Sequence, residues 1–196
     1  MKRPKFSIIA VDYEYHVPRE GMVKGLQSVA NQTFKDFELI ICHDGPKDKP
    51  YEEEINFKEL GLNPIIINTE IRHAMWGHPS RDKAMRIANG EYFLQFNIDN
   101  LLYPDCLEKI SKHIDETQKK VVVFQIKHWK QGGILFSGVP PVHYGIDAMQ
   151  LVAHRDIWEK TCYWYDFQET SDGMIYQNIC SQNEWSELPE LLGENF

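Results

Sequence analysis

The stretch "YFLQFNIDNLLYPDCL", residues 92–107, runs an apolar segment into a polar knot, Asn97-Ile98-Asp99-Asn100, and restarts at Tyr103-Pro104. A buried strand that ends on one carboxylate between two amides, just before a proline-started helix, has two readings. It is either a structural turn or a place where a cation and a phosphate can be held. The order of elements around it decides the fold.

Upstream, "FSIIAV" (6–11) is a compact apolar run suited to a central strand. In "EGMVKGLQSVANQTF", Met22, Leu26, Val29 and Ala30 recur at helical spacing. "FELIIC" (37–42) reads as a second strand ending at His43-Asp44-Gly45-Pro46, residues 47–61 have room for a short helix, and "PIIIN" (64–68) is a third strand. Pro79 can open a helix whose apolar side is Ala84, Ile87 and Ala88, with Asn89-Gly90 as its stop. Downstream, Pro104 suits a first helical turn before the stripe Leu107, Ile110 and Ile114, and "KVVVFQI" supplies another strand. This alternation predicts an α/β protein, a three-layer α/β/α sandwich with a mostly parallel central sheet. Residues 127–145 lose the period and read as an antiparallel excursion with long loops. "AMQLVAHRDIWEK" then returns a strand and starts a helix near Arg155, and "DFQETSDGMIYQNICSQ" gives an acidic loop followed by a helix.

With 196 residues the chain has material for one substantial core and not for two ordinary domains. Its 21 Lys and Arg against 29 Asp and Glu give a net charge of -8, which argues against non-specific nucleic-acid binding but leaves room for a local basic phosphate pocket. The apolar run before Asp12 is too short for a signal peptide, and no later run reaches the roughly 18 residues of a membrane span. Cys42, Cys106, Cys162 and Cys180 lack metal-site spacing and are expected to be reduced thiols of a cytoplasmic protein.

In an open α/β sheet, ligands bind beyond the carboxyl ends of the strands. Tyr13, Asp44 and the knot all follow apolar strands directly, so this architecture brings them to one edge. Asp99 offers a hard oxygen ligand for a divalent cation, or a helix cap; Asn97 and Asn100 offer carbonyl oxygens without charge. Asp44 can accept a nucleobase N–H or close a turn, Tyr13 can stack on a base or pack, and Arg81 can neutralise phosphate or sit in a surface ion pair. Asp166, Glu169 and Asp172 can cap a helix or deprotonate a hydroxyl. Trp76 and His78 precede Arg81 in a loop that can close over a ligand or simply pack, and His143 and Tyr144 are candidates for an acceptor side. A glycine-rich dinucleotide fingerprint and a phosphate-loop signature are both missing, which disfavours dehydrogenase and nucleoside-triphosphatase readings.

Together, "FSIIAVDYEY", "LQSVANQTFKDFELIICHDG" and "SRDKAMRIANGEYFLQFNIDN" resemble the family-2 glycosyltransferases of GT-A fold, closely over residues 6–114 and more loosely over 145–180. The resemblance implies a single domain, with residues 1–100 mainly binding a nucleotide-sugar and residues 101–196 mainly serving the acceptor and the catalytic base. It implies that Tyr13 and Asp44 bind the base and that Arg81 approaches base or diphosphate. Asn97 would take the first acidic position of the metal motif, and Asp99 would bind Mn²⁺ or Mg²⁺. Asp172 matches the catalytic base, with Glu169 its nearest rival, and Glu14, His43, His78, Ile98 and Asn100 are further neighbours of the site. The implied reaction is metal-dependent, inverting transfer of a sugar, a UDP-sugar as first candidate, to a hydroxyl of a glycan, lipid-linked or protein-linked acceptor. His43 and Asn97 replace usual aspartates, which lowers the site's negative charge and keeps a non-catalytic nucleotide-sugar-binding module in view. A nucleotidyltransferase and a retaining enzyme are the remaining rivals. The short segment after the presumed catalytic helix fits a compact enzyme or one domain of a longer chain, which would also leave membrane association to a partner or a missing region.

Overall fold

The computed structural model describes residues 2–13, 18–129 and 132–196. Strand β1 (Phe6–Asp12) is buried along its whole length because it lies between β2 (Phe37–His43) and β4 (Tyr92–Asn97), parallel to both. β3 (Ile65–Asn68) continues the parallel set beyond β2. On the other side of β4 the sheet changes character. β8 (Leu151–His154) pairs antiparallel with β4 and with β6 (Val121–His128), and β6 pairs antiparallel with β7 (Ile134–Phe136). β9 (Ser186–Asn195) runs parallel to β6 and antiparallel to β5 (Leu101–Leu102).

The sheet order is β3-β2-β1-β4-β8-β6-β9-β5, with β7 beside β6. Among the described residues, parallel and antiparallel pairings are equal in number, so the sheet is mixed and the expectation of a mostly parallel one is corrected. The physical reason is local. β6, β7 and β8 follow one another without a crossover α-helix, and such connections permit antiparallel neighbours. The expected antiparallel excursion is present as β7, whereas β9 has no counterpart in the sequence reading.

Apolar residues alternate between two cores. Phe6, Ile8 and Ala10 face one, with α1 (Arg19–Ala30) and α5 (Cys106–Thr117), while Ile9, Ile40 and Phe93 face the other, with α4 (His78–Ile87) and α7 (Ser171–Gln182). Three short helices, α2 (Tyr51–Glu54), α3 (Phe57–Leu60) and α6 (Arg155–Lys160), complete the covering. Trp158 and Trp164 are fully buried in the second core; Trp129 is half exposed. Pro104 sits in a turn before α5 rather than in its first turn. All four cysteines are free, and no helix among the described residues is long and apolar enough to cross a membrane.

The polar knot is held from beneath. Ile98 N–H donates to the Val11 carbonyl and Asn100 N–H to the Asn97 carbonyl, which closes a tight turn at the end of β4. Gln32, fully buried, donates to the Tyr103 carbonyl (2.8 Å) and accepts from Leu107 N–H (3.0 Å). The Gln of the "NQT" motif thus ties the end of α1 to the segment that follows the knot. Gly25 of α1 lies against the same turn: a Cβ there would stand 2.0 Å from the Ile98 carbonyl oxygen and 2.9 Å from that of Asn100. Both obstacles are backbone, so neither can swing aside. Gly25→Ala is therefore expected to destabilise the fold by about 3 kcal/mol, at the upper end of overpacking costs. Urea unfolding checks this, and a midpoint unchanged from the parent would refute the seating of α1 on the knot.

Candidate active site

A cavity of about 350 Å³ opens where β1, β4, α4 and α7 converge. Tyr13, immediately after β1, lines it together with Trp76, His78, Arg81, Asn97, Glu169 and Asp172. Of the sequence-derived candidates, these and Tyr144 are brought together. His43 and Asp44 line a neighbouring cavity of about 530 Å³ at the end of β2. Arg72, in the wall of the second, donates through Nη2 to the carbonyl of Tyr13, in the wall of the first (2.9 Å). Asp99 is partly buried and is not among the residues lining either cavity. Ile98 and Asn100 are buried; the Asn100 amide contacts Met149 Sδ and accepts from the Phe196 N–H. Glu14 lies outside the described residues.

Arg81 dominates the electrostatics. It is 2% exposed and stands over the Trp164 ring at 5.4 Å. Its Nη2 donates to Asn97 Oδ1, while Nε and Nη1 meet no hydrogen-bond partner among the described residues. Burial holds its pKa below the usual arginine value. Its placement follows from the start of α4: the chain enters the helix through four consecutive positive-φ residues, Ala74, Met75, Trp76 and Gly77. At Gly77 (φ 76°) a Cβ would lie 2.8 Å from the Tyr13 ring, so this close approach also requires glycine. One turn into the helix, Arg81 lines the cavity.

His78 stacks on Trp164 (5.3 Å, 17°). Burial, reinforced by the nearby Arg81 charge, pushes its pKa down to about 3 despite an opposing pull from the Gln168 and Glu169 backbone. It forms a neutral wall near neutral pH and not a proton carrier.

Asp172, in the first turn of α7, accepts from the Gly173 N–H (2.8 Å). Burial first, and the Asp147 charge second, raise its pKa to about 7, against the pull of Gly173 and Arg81. Asp147 was missed in the sequence, as were two residues that frame it. Its carboxylate accepts from Asn195 Nδ2 (2.7 Å) and from the Met149 N–H (2.9 Å), and His128 Nε2 stands 3.8 Å away. The signal available was a helix-capping box, Asp147 with Gln150, hidden in an aperiodic segment. Tyr144, 75% exposed, also lines the cavity, stacked on His143.

Asp44, in contrast, is 1% exposed and already engaged. Its Oδ1 accepts from the His73 N–H (2.9 Å) and Thr69 Oγ1 (3.2 Å), and its Oδ2 from the Ala74 N–H (2.6 Å). It anchors the positive-φ loop.

The family profile described as Glycosyl transferase family 2 matches residues 15–165. The chain belongs to this family. A curated relative, an uncharacterised glycosyltransferase of Methanocaldococcus jannaschii, is 32% identical over 124 residues, 63% of this chain and 42% of that one. The poly(ribitol-phosphate) beta-glucosyltransferase of Bacillus spizizenii is 28% identical over 117 residues, 59% of this chain and 18% of that protein. Among solved structures, S. aureus TarS 1-349 in complex with UDP superposes with a TM-score of 0.81 at 18% identity, covering 97% of this chain and 60% of that one. The Pyrobaculum calidifontis mannosyltransferase in complex with GDP-Man and Mn²⁺ gives 0.72 at 13% identity, covering 99% and 57%. The family member described here therefore has the GT-A fold and spans less than two thirds of the length of these relatives.

Proposed function

We propose that the protein transfers a sugar from a nucleoside diphosphate donor to an acceptor hydroxyl with inversion at the anomeric carbon. The observation that carries this reading is the pairing, in one cavity, of a buried arginine with two unpartnered guanidinium nitrogens and a carboxylate whose pKa is raised to about 7. A buried cation that is only partly paired is costly to the fold and points to an anion site. A diphosphate supplies that anion. Asp172 then accepts the proton of the acceptor hydroxyl as its oxygen attacks the anomeric carbon opposite the departing diphosphate, and Arg81 holds the charge that develops there. Asp147 and Asn195 lie on the acceptor side of Asp172, and Tyr144 offers an exposed ring for a sugar face.

A divalent metal would rest on one carboxylate, Asp99, which lines neither cavity in this structure. Among the described residues no three His, Cys, Asp or Glu side chains gather as a metal site. Mg²⁺ commonly takes only one or two carboxylates and completes its shell with water and phosphate oxygens. Asp99 provides one such carboxylate in the segment beside Asn97, whose own Oδ1 already faces Arg81. The ion, when bound, would supply charge stabilisation on the leaving diphosphate.

The test is nucleotide release from a panel of UDP-, GDP-, dTDP- and CMP-sugars with EDTA, Mg²⁺ or Mn²⁺. Release of nucleoside diphosphate from one donor class, stimulated by metal, is expected. In Asp99→Ala that stimulation should fall by at least about tenfold, the loss of one charge-assisted contact. Full metal stimulation in the variant would remove Asp99 from the proposal. Selective donor binding with no turnover on any acceptor would favour the binding-module reading instead.

A further inference from the structure

Resting on the nucleotide-sugar reading, we propose that His43 selects the base of the donor: its Nε2 accepts the ring N–H of a uracil- or guanine-type nucleobase seated in the cavity at the end of β2. Four observations carry this. His43 Nδ1 lies 3.1 Å from Asp12 Oδ2, and the same carboxylate oxygen accepts the Tyr51 hydroxyl. An ionised carboxylate can only accept, so Nδ1 carries the hydrogen and, in the neutral ring, Nε2 is left with a lone pair. Burial and the adjacent Asp12 charge push the Tyr51 pKa up, which keeps its hydroxyl a donor and the arrangement fixed. Nε2 itself meets no partner among the described residues, and the ring lines the cavity.

The alternative acceptor, Asp44, is the less available of the two. Three donors already occupy it and it is almost fully buried. His43 is thus the acceptor left available at this edge. A base with a ring N–H beside a carbonyl suits that acceptor; Lys47, Lys49 and Arg72 around the same cavity suit its carbonyl oxygens.

The experiment compares binding of UDP and N3-methyl-UDP, in which the ring N–H is replaced by N–CH₃, by calorimetry. In the parent, methylation is expected to weaken binding by about tenfold, the range for leaving one buried acceptor unmatched. In His43→Ala that penalty should vanish, because the acceptor is gone and the methyl group has space. His43→Gln places an amide oxygen close to the position of Nε2 and should retain most of the penalty; it also serves if the alanine variant folds poorly. A methylation penalty that persists in His43→Ala would put the reading acceptor elsewhere and overturn the proposal, with the donor reading intact. Absence of any penalty in the parent would overturn it equally. Failure of the parent to bind either UDP or GDP would remove the donor reading itself, and this inference with it.

Discussion

Asp172→Asn is expected to lower kcat/KM for glycosyl transfer by about 100- to 10,000-fold, the usual contribution of a general base, while UDP affinity stays within a few-fold of the parent. The separation of the two readouts matters, because the proposed reaction gives Asp172 the acceptor hydroxyl and Arg81 the diphosphate. The pH dependence supplies a second check. A base must be deprotonated to act, and burial with the Asp147 charge raises this carboxyl to about 7. Below that value kcat/KM should fall about tenfold per pH unit, and above it level off. The linkage to stability has the opposite sense. The folded pKa lies above the unfolded one, so the folded state binds the proton more tightly; its contribution is fully present below about pH 4 and is lost as pH rises through about 7. Asn carries no such charge, so Asp172→Asn should melt at a higher temperature than the parent at pH 8 and close to it near pH 4. A variant that keeps full transfer activity, or a profile without an acid limb near 7, would remove Asp172 as the base.

The four strands of the parallel half, and β6 beyond them, were legible because each is a short apolar run, and all five predicted starts fall within a residue of those observed. Helices α1, α4 and α5 were legible from spacing. β9 was not, since its sequence, "SELPELLGEN", carries a proline and a glycine and only a partial alternation, and its burial comes from pairing with β6 and β5 rather than from its own composition. The site divides in the same way. Tyr13, Arg81, Asn97, Glu169 and Asp172 converge because they lie at or near the ends of elements whose order the sequence declares. His128, Asp147 and Asn195 arrive from the end of β6, the irregular segment and the end of β9, where nothing periodic marks them. The knot that opened the question answers it twice. It is a structural turn, closed by backbone bonds and seated on Gly25, and its first residue, Asn97, orients the buried Arg81.

Arg81→Met should produce changes of opposite sign in binding and in stability. Methionine fills a similar volume against Trp164 but brings no charge into the cavity. The parent guanidinium leaves Nε and Nη1 unpartnered while fully buried, a desolvation cost that the single bond to Asn97 does not offset. Replacing a buried, incompletely paired charge with an apolar side chain is often stabilising by about 1–4 kcal/mol, and the freed Asn97 oxygen, on a half-buried side chain beside the cavity, can turn to water. The melting temperature should therefore rise. UDP affinity should fall at the same time by about 100-fold, the loss of strong charge-assisted hydrogen bonds to phosphate, while uridine, which lacks the diphosphate, should bind parent and variant alike. Arg81→Lys should recover only part of the loss, because a single ammonium cannot reproduce the planar fork. If instead the variant melts lower and binds UDP unchanged, Arg81 is a structural residue whose cavity nitrogens are served by water, and the anion site must be sought elsewhere. A stability gain bought with donor affinity is the signature expected of a residue kept for the substrate and not for the fold.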